Sequence, residues 1–171
     1  MLIKIFDRIR QGLDFGYGAD PLSFTLCHYD KKRKRLFIFG EVYKCKLGNS
    51  KAVEEISNVG FNNKTITADS AEPRTISEFK KLGLIKIKGA KKGPDSVEHG
   101  VKFLSEEIEE IIIDPERAPN HKREFLGYEL EVDSQGNPKG EYPDKNNHTI
   151  DSTRYALEDD MIHRAVITVL K

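Results

Sequence analysis

A carboxylate set in a glycine-lined strand constrains this chain more than any other feature. Read with period two, Gly12-Leu13-Asp14-Phe15-Gly16-Tyr17-Gly18 puts Leu13 and Phe15 on one face and Gly12, Asp14 and Gly16 on the other. Ile9 and Leu13 mark the strand as buried, and a buried carboxylate is costly unless it is paired or binds a metal. The glycines strip side chains from the Asp14 face, so a ligand or another backbone can come close. Asp14 is therefore either a metal ligand or an acid hydrogen-bonded in the turn before Gly16.

The 171 residues suffice for one domain with a real core. Net charge is +0, with 33% charged and 37% hydrophobic residues, so any surface that holds nucleic acid has to be local. No apolar run is long enough to cross a membrane, and residues 1–10 are too short and too charged for a secretory signal. Cys27 and Cys45 are too few and too far apart for a zinc motif and read as reduced core residues of a cytosolic protein. There is no internal repeat and no Gly-x-x-x-x-Gly-Lys-Ser/Thr phosphate loop.

The order of elements predicts a mixed sheet. Strands at the Asp14 segment, at 22–29 and at 36–43, joined by short turns, make an antiparallel meander. The basic turn Lys31-Lys32-Arg33-Lys34-Arg35 is either a phosphate contact or a solvated hairpin tip. A helix from Asn49 or Ser50 (the expected cap) to Val59 stops at Gly60. It is followed by a strand over 65–69 that ends in Asp69, a helix opened by Pro73 and ended by Gly83, and a strand over 84–87. That alternation implies crossovers and parallel pairing. Lys86, Lys88, Lys91 and Lys92 crowd the glycines before a helix that starts near Pro94-Asp95-Ser96 and runs to Leu104. This stretch is either a phosphate site or a polar loop. A strand over 108–113 and a helix over 119–126 follow. Tyr128 to Tyr142 reads as a β-hairpin around Ser134-Gln135-Gly136-Asn137. Asn147 caps a late helix on which His148 and Asp151, three apart, share a face. Residues 161–171 are an apolar tail of unassigned structure.

If the strand ending at Asp69 lies parallel to and beside the first, the two acids stand about 5 Å apart in the pairing direction. A late helix packed across that edge adds Asp151. Three carboxylates with open positions suit hard divalent cations, Mg²⁺ or Mn²⁺. Two such ions roughly 4 Å apart activate a water and stabilise the leaving oxygen of a phosphodiester. That is the site of an RNase H-like nuclease.

Four segments carry a closer resemblance: 12–21 around Asp14, Ala68-Asp69-Ser70-Ala71-Glu72-Pro73, Lys92-Gly93-Pro94-Asp95-Ser96, and 144–151 with Arg154-Tyr155-Ala156-Leu157. In this order, over nearly the whole chain, they resemble the C-terminal nuclease domain of the large terminase subunits of tailed bacteriophages and prophages. The resemblance implies an RNase H-like α/β fold and a metal-dependent endonuclease that cuts concatemeric double-stranded viral DNA with little sequence preference. Asp14, Asp69 and Asp151 match the family's metal-binding acids, with Asp14 shared by two divalent cations, Mg or Mn. His148 matches a histidine beside them that relays a proton or orients water, and 128–142 matches a hairpin that controls access.

Lys88, Lys91 and Lys92 are candidate DNA contacts, and Asp20, Glu72 and Asp144 are acids near the motifs, one of which is a candidate to support the site from behind. The remaining histidines, 28, 99, 121 and 163, show no partner pattern. The expected organisation is one nuclease domain over 1–171, with a core at 9–160 and no ATPase motor. Implied partners are the terminase ATPase domain, the small terminase subunit and the portal, in the cytoplasm of a bacterial host, with no membrane. The competing readings are a non-catalytic docking module and another RNase H-like nuclease, such as a junction resolvase or a ribonuclease acting on RNA–DNA hybrids.

Overall fold

A computed structural model describes residues 6–16, 18–91, 93, 95–129, 134–135, 143 and 145–161 of the chain. Strands β1 (Ile9–Asp14), β2 (Leu22–Asp30) and β3 (Arg35–Lys44) form the expected antiparallel meander. Strand β4 (Ile66–Ala68) joins the free edge of β1 in parallel, with Gly12 opposite Thr67 and Leu13 opposite Ala68. Strands β5 (Ile87–Gly89) and β6 (Glu110–Ile113) extend the sheet in parallel at its two ends, giving the order β5-β4-β1-β2-β3-β6. The fold is thus the mixed α/β sheet that the order of elements implied.

Helices cover both faces. Helix α1 (Asn49–Val59) and helix α2 (Pro73–Lys81) pack Ala52, Val53, Ile56, Ile76 and Phe79 onto Leu13, Phe24, Leu26 and Val42. On the other face lie α3 (Ser96–Lys102), a turn of π-helix (Phe103–Glu107), α4 (Pro119–Gly127), α5 (His148–Ala156) and α6 (Glu158–Met161). Their apolar residues meet Cys27, Tyr29, Leu36 and Ile38.

One irregularity changes what faces what. Leu26 pairs with Gly40 but Cys27 pairs with Ile38, which leaves Phe39 as an extra residue in β3. The bulge shifts the alternation, so Phe39 and Val42 both reach the α1/α2 core while Glu41 turns to the α4/α5 side.

Several local expectations need correction. Gly48, not Asn49 or Ser50, occupies the N-cap of α1, with no side-chain cap bond. The strand expected at 84–87 begins only at Ile87, because Leu84 packs in the core while its backbone carbonyl accepts the Ile87 N–H in a turn. Cys27 is buried as expected, but Cys45 is exposed. The basic turn is a compensated hairpin tip: Arg33, Lys34 and Arg35 pair with Asp30, Glu109 and Glu110. Most of the expected hairpin at 128–142, and residues 162–171 of the expected tail, lie outside the described residues.

Candidate metal centre

The glycine-lined face of β1 admits a backbone, and that backbone belongs to α5. A Cβ built on Gly12 would fall 1.8 Å from the Ser152 carbonyl oxygen and 2.5 Å from the Ala156 nitrogen. Only a glycine lets the helix come this close. The contact face of α5 is correspondingly small and polar. Ser152 Oγ meets Ser23 Oγ at 3.0 Å and Thr25 Oγ1 at 2.6 Å, and Thr153 Oγ1 donates to its own helix at Thr149 O, 2.6 Å away.

This packing lays the first turn of α5 over the ends of β1 and β4. The Asp69 N–H donates to Leu13 O at 2.9 Å, one step beyond the last residue of β4, so Asp69 sits beside Asp14 on the neighbouring strand. Asp14 is buried, 8% exposed, and His148 Nδ1 lies 3.1 Å from its Oδ2. The other imidazole nitrogen faces Asp20 Oδ1 at 4.0 Å, and the Tyr43 ring meets the imidazole in a T-shaped contact. Asp69 does not cap α2, whose N-cap is Glu72; its Oδ1 accepts the Ala71 N–H at 2.8 Å in a local turn.

Asp151 projects from the first turn of α5. Burial raises its acid to about 6, and Asp14 and Asp69 add to the rise by repulsion, while Arg154 and His148 oppose it. His148 is raised above the ordinary imidazole value, first by its hydrogen bond to Asp14, against the effect of burial, with further help from the charges of Asp14, Glu124 and Asp20. Tyr155, one turn beyond Asp151, is raised by burial and then by Asp69, Asp151 and Asp14. The three acids, His148 and Tyr155 therefore share one electrostatic neighbourhood with an excess of negative charge.

Oxygen-rich and electron-rich, this donor set fits a hard divalent cation. Its side chains are turned to local partners, and among the described residues no three His, Cys, Asp or Glu stand close enough to grip one ion.

The lysines expected to touch DNA fare differently. Lys88 Nζ pairs with Asp159 at 3.0 Å and lies 3.7 Å from Glu158, which ties β5 to α6. Lys91 is exposed, and its backbone N–H donates to Glu158. Lys92 and Asp144 lie outside the described residues. The helix after this loop has seven residues, its N-cap Asp95 is left-handed (φ 59°), and acids stand opposite the loop, so it is a poor phosphate cradle.

The buried polar network behind the site escaped the sequence reading. His121, read as an ordinary histidine, is fully buried between Glu41 Oε2 (2.7 Å) and Thr25 Oγ1 (2.7 Å). Glu41 also accepts from Asn120 and from the His121 backbone; against the rise from burial, the His121 ring first and then these donors hold its acid below the usual carboxylate value. Glu124 is buried too. It accepts the Thr149 N–H and Oγ1–H at 2.7 Å each and the Tyr43 hydroxyl at 2.6 Å. Asn147 occupies the N-cap of α5, as expected, but makes no side-chain cap bond; its Nδ2 donates instead to Asp151 Oδ2 at 3.2 Å. Glu124 on α4 takes over that capping role: it accepts an N–H of the first turn and sets a negative charge at the positive end of α5. The one sequence signal was the i,i+3 spacing of His121 and Glu124, which puts two polar side chains on the buried face of α4.

The family model described as "Terminase RNAseH like domain" matches residues 14–159. The large terminase subunit of Bacillus phage SPP1 is 48% identical over 157 residues, covering 91% of this chain and 37% of that protein. The PBSX phage terminase large subunit of Bacillus subtilis (strain 168) is 28% identical over 158 residues, covering 88% of this chain and 34% of the relative. The chain thus spans about a third of the length of these curated relatives. Among solved structures, the nuclease domain of the SPP1 large terminase with bound Mn superposes with a TM-score of 0.86 at 46% identity, covering 92% of this chain and 89% of that one. The P22 large terminase nuclease domain shares the fold at a TM-score of 0.70 and 18% identity, covering 90% and 81% of the two chains.

Proposed function

The chain belongs to the terminase RNase H-like domain family, and from that premise we propose that it is a metal-dependent DNA endonuclease of viral genome packaging. Its substrate is concatemeric double-stranded DNA, cut by two-ion phosphodiester hydrolysis with little sequence preference. The observation that carries this reading is the pairing of Asp14 and Asp69 at the ends of adjacent parallel strands, in the electrostatic neighbourhood of Asp151 on the helix laid across them. The likeness to a nuclease domain solved with bound Mn supports it.

Asp14, Asp69 and Asp151 would hold the divalent ions, Mg²⁺ or Mn²⁺, with Asp14 shared because β1 lies between β4 and β2. When bound, such ions supply Lewis acidity at the phosphate and lower the pKa of a water. His148 keeps one ring nitrogen on Asp14 and leaves the other towards Asp20, where it can take up or release a proton. Lys91 offers an exposed cation to the DNA backbone. In the same proposal the partners are the ATPase domain, the small terminase subunit and the portal, and the site of action is the bacterial cytoplasm. Among the described residues no helix is long and apolar enough to cross a membrane.

The test is nicking of supercoiled plasmid in Mn²⁺. Asp14→Ala, Asp69→Ala and Asp151→Asn should each abolish it without loss of fold, and His148→Ala should slow it less than any of them. A variant acid that cuts near the wild-type rate removes that residue from the site. A docking module that keeps the fold without chemistry is favoured by one observation, that among the described residues no three donors close on an ion. Wild-type protein inert in both Mn²⁺ and Mg²⁺ would decide for it. Comparison of duplex, hybrid and four-way substrates separates a packaging nuclease from a resolvase or a hybrid-specific ribonuclease.

A further inference from the structure

Asp151 is engaged on both carboxylate oxygens by residues at the two ends of its own helical turn. Oδ2 accepts from Asn147 Nδ2 at 3.2 Å, and Oδ1 stands 3.3 Å from Arg154 Nη1. Arg154 is itself buried, 6% exposed, and neither its Nε nor its Nη1 has an aligned hydrogen-bond partner. The side chain is wedged against α3 at Gly100, where a Cβ would fall 2.8 Å from Arg154 Cδ and 2.9 Å from Nε. Its guanidinium also lies 5.7 Å from the Tyr155 ring centroid. A buried guanidinium short of hydrogen bonds depends on its counter-charge, and that charge is Asp151.

We propose that Arg154 is a positioning residue that competes with the divalent ion for Asp151, holding this carboxylate back until an ion takes it. The identity of the ion rests on the endonuclease reading above; the Arg154–Asp151 pair does not. An ion seated among Asp14, Asp69 and Asp151 places a second cation against the same carboxylate, so its entry is opposed by repulsion from Arg154 and by the loss of the existing pair. The consequence is a nuclease with weak ion occupancy when idle, its threshold set by a residue that touches neither ion nor DNA.

Two measurements test this. In chelator, a double-mutant cycle of Arg154→Met and Asp151→Asn, read by denaturant unfolding, should show a coupling of about threefold or more in the unfolding constant. Independence of the two substitutions overturns the pair. In Mn²⁺ titration by calorimetry, Arg154→Met should bind about tenfold more tightly than wild type, while Arg154→Lys, which keeps the charge, should stay near wild type. Equal or weaker binding by Arg154→Met, or a lysine variant as tight as the methionine one, overturns the competition. Arg154→Gln carries the same comparison if the methionine variant does not fold. Wild-type protein that takes up no Mn²⁺ while the coupling persists in chelator sinks the metal-centre reading and the competition with it. Coupling lost while Mn²⁺ still binds sinks the competition alone.

Discussion

Burial and two neighbouring carboxylates raise the Asp151 acid from 3.8 to about 6. A carboxylate whose folded value lies above its unfolded one contributes stability that is complete below the unfolded value and lost as pH rises through the folded one. In chelator, the domain should therefore lose stability between about pH 4 and about pH 6, by roughly 3 kcal/mol from this group. Denaturant unfolding across that range should show the slope, and Asp151→Asn should lack that component. His148, also raised, acts in the same direction: its stabilisation is complete below the ordinary imidazole value and lost as pH rises through its own. Ion binding has the opposite sign, because Asp151 must release its proton to hold a cation. Mn²⁺ affinity measured by calorimetry should tighten from pH 5 to pH 7 and then level off.

At the scale of elements, the site depends on how α5 is seated. Gly12 allows the helix onto β1, and Glu124 of α4 holds its first turn through Thr149. A methyl group at Gly12 would meet helix backbone on a side that has no room to yield, unlike a clash with a flexible side-chain tip. Gly12→Ala should cost upwards of about 3 kcal/mol or prevent folding, as read by thermal and denaturant unfolding. Glu124→Ala leaves the Thr149 N–H, the Thr149 hydroxyl and the Tyr43 hydroxyl without their acceptor, at a cost of about 3 kcal/mol. Glu124→Gln keeps an acceptor and should cost clearly less in the same measurement. The helix expected to run to Leu104 ends as α3 at Lys102 and passes directly into the π turn Phe103–Glu107.

Across the whole molecule, charge is balanced, so attraction to DNA has to come from particular residues, not from the overall field. Lys88 is neutralised by Asp159 and Glu158, whereas Lys91 is exposed. Lys91→Ala together with Lys92→Ala should weaken DNA binding and flatten its salt dependence, whereas Lys88→Ala should leave the salt slope near wild type. Binding isotherms at several salt concentrations check both. The sheet itself joins local meander contacts to parallel crossovers, with β1 paired on one side to each kind. This central place puts Asp14 between the neighbours that carry Ser23 and Asp69.

The order of strands and helices and the mixed sheet were legible in the chain, because alternation, helical spacing and glycine or proline punctuation are local signals, whereas the placing of β4 beside β1 was a supposition that the pairing of Leu13 with Ala68 bears out. Asp14 stood out by its glycine-lined strand, Asp69 as the acid ending a strand and Asp151 by sharing a helix face with His148, all of them patterns within one element. The partners that hold the neighbourhood together were not legible. Glu41 turns inward only because of the bulge at Phe39, which pairing across β2 reveals and β3 alone does not. His121 finds Thr25, Glu124 finds Thr149 and Arg154 wedges against Gly100 only once α3, α4 and α5 stack on one face. A buried polar group takes its meaning from what covers it, and what covers it here comes from distant parts of the chain.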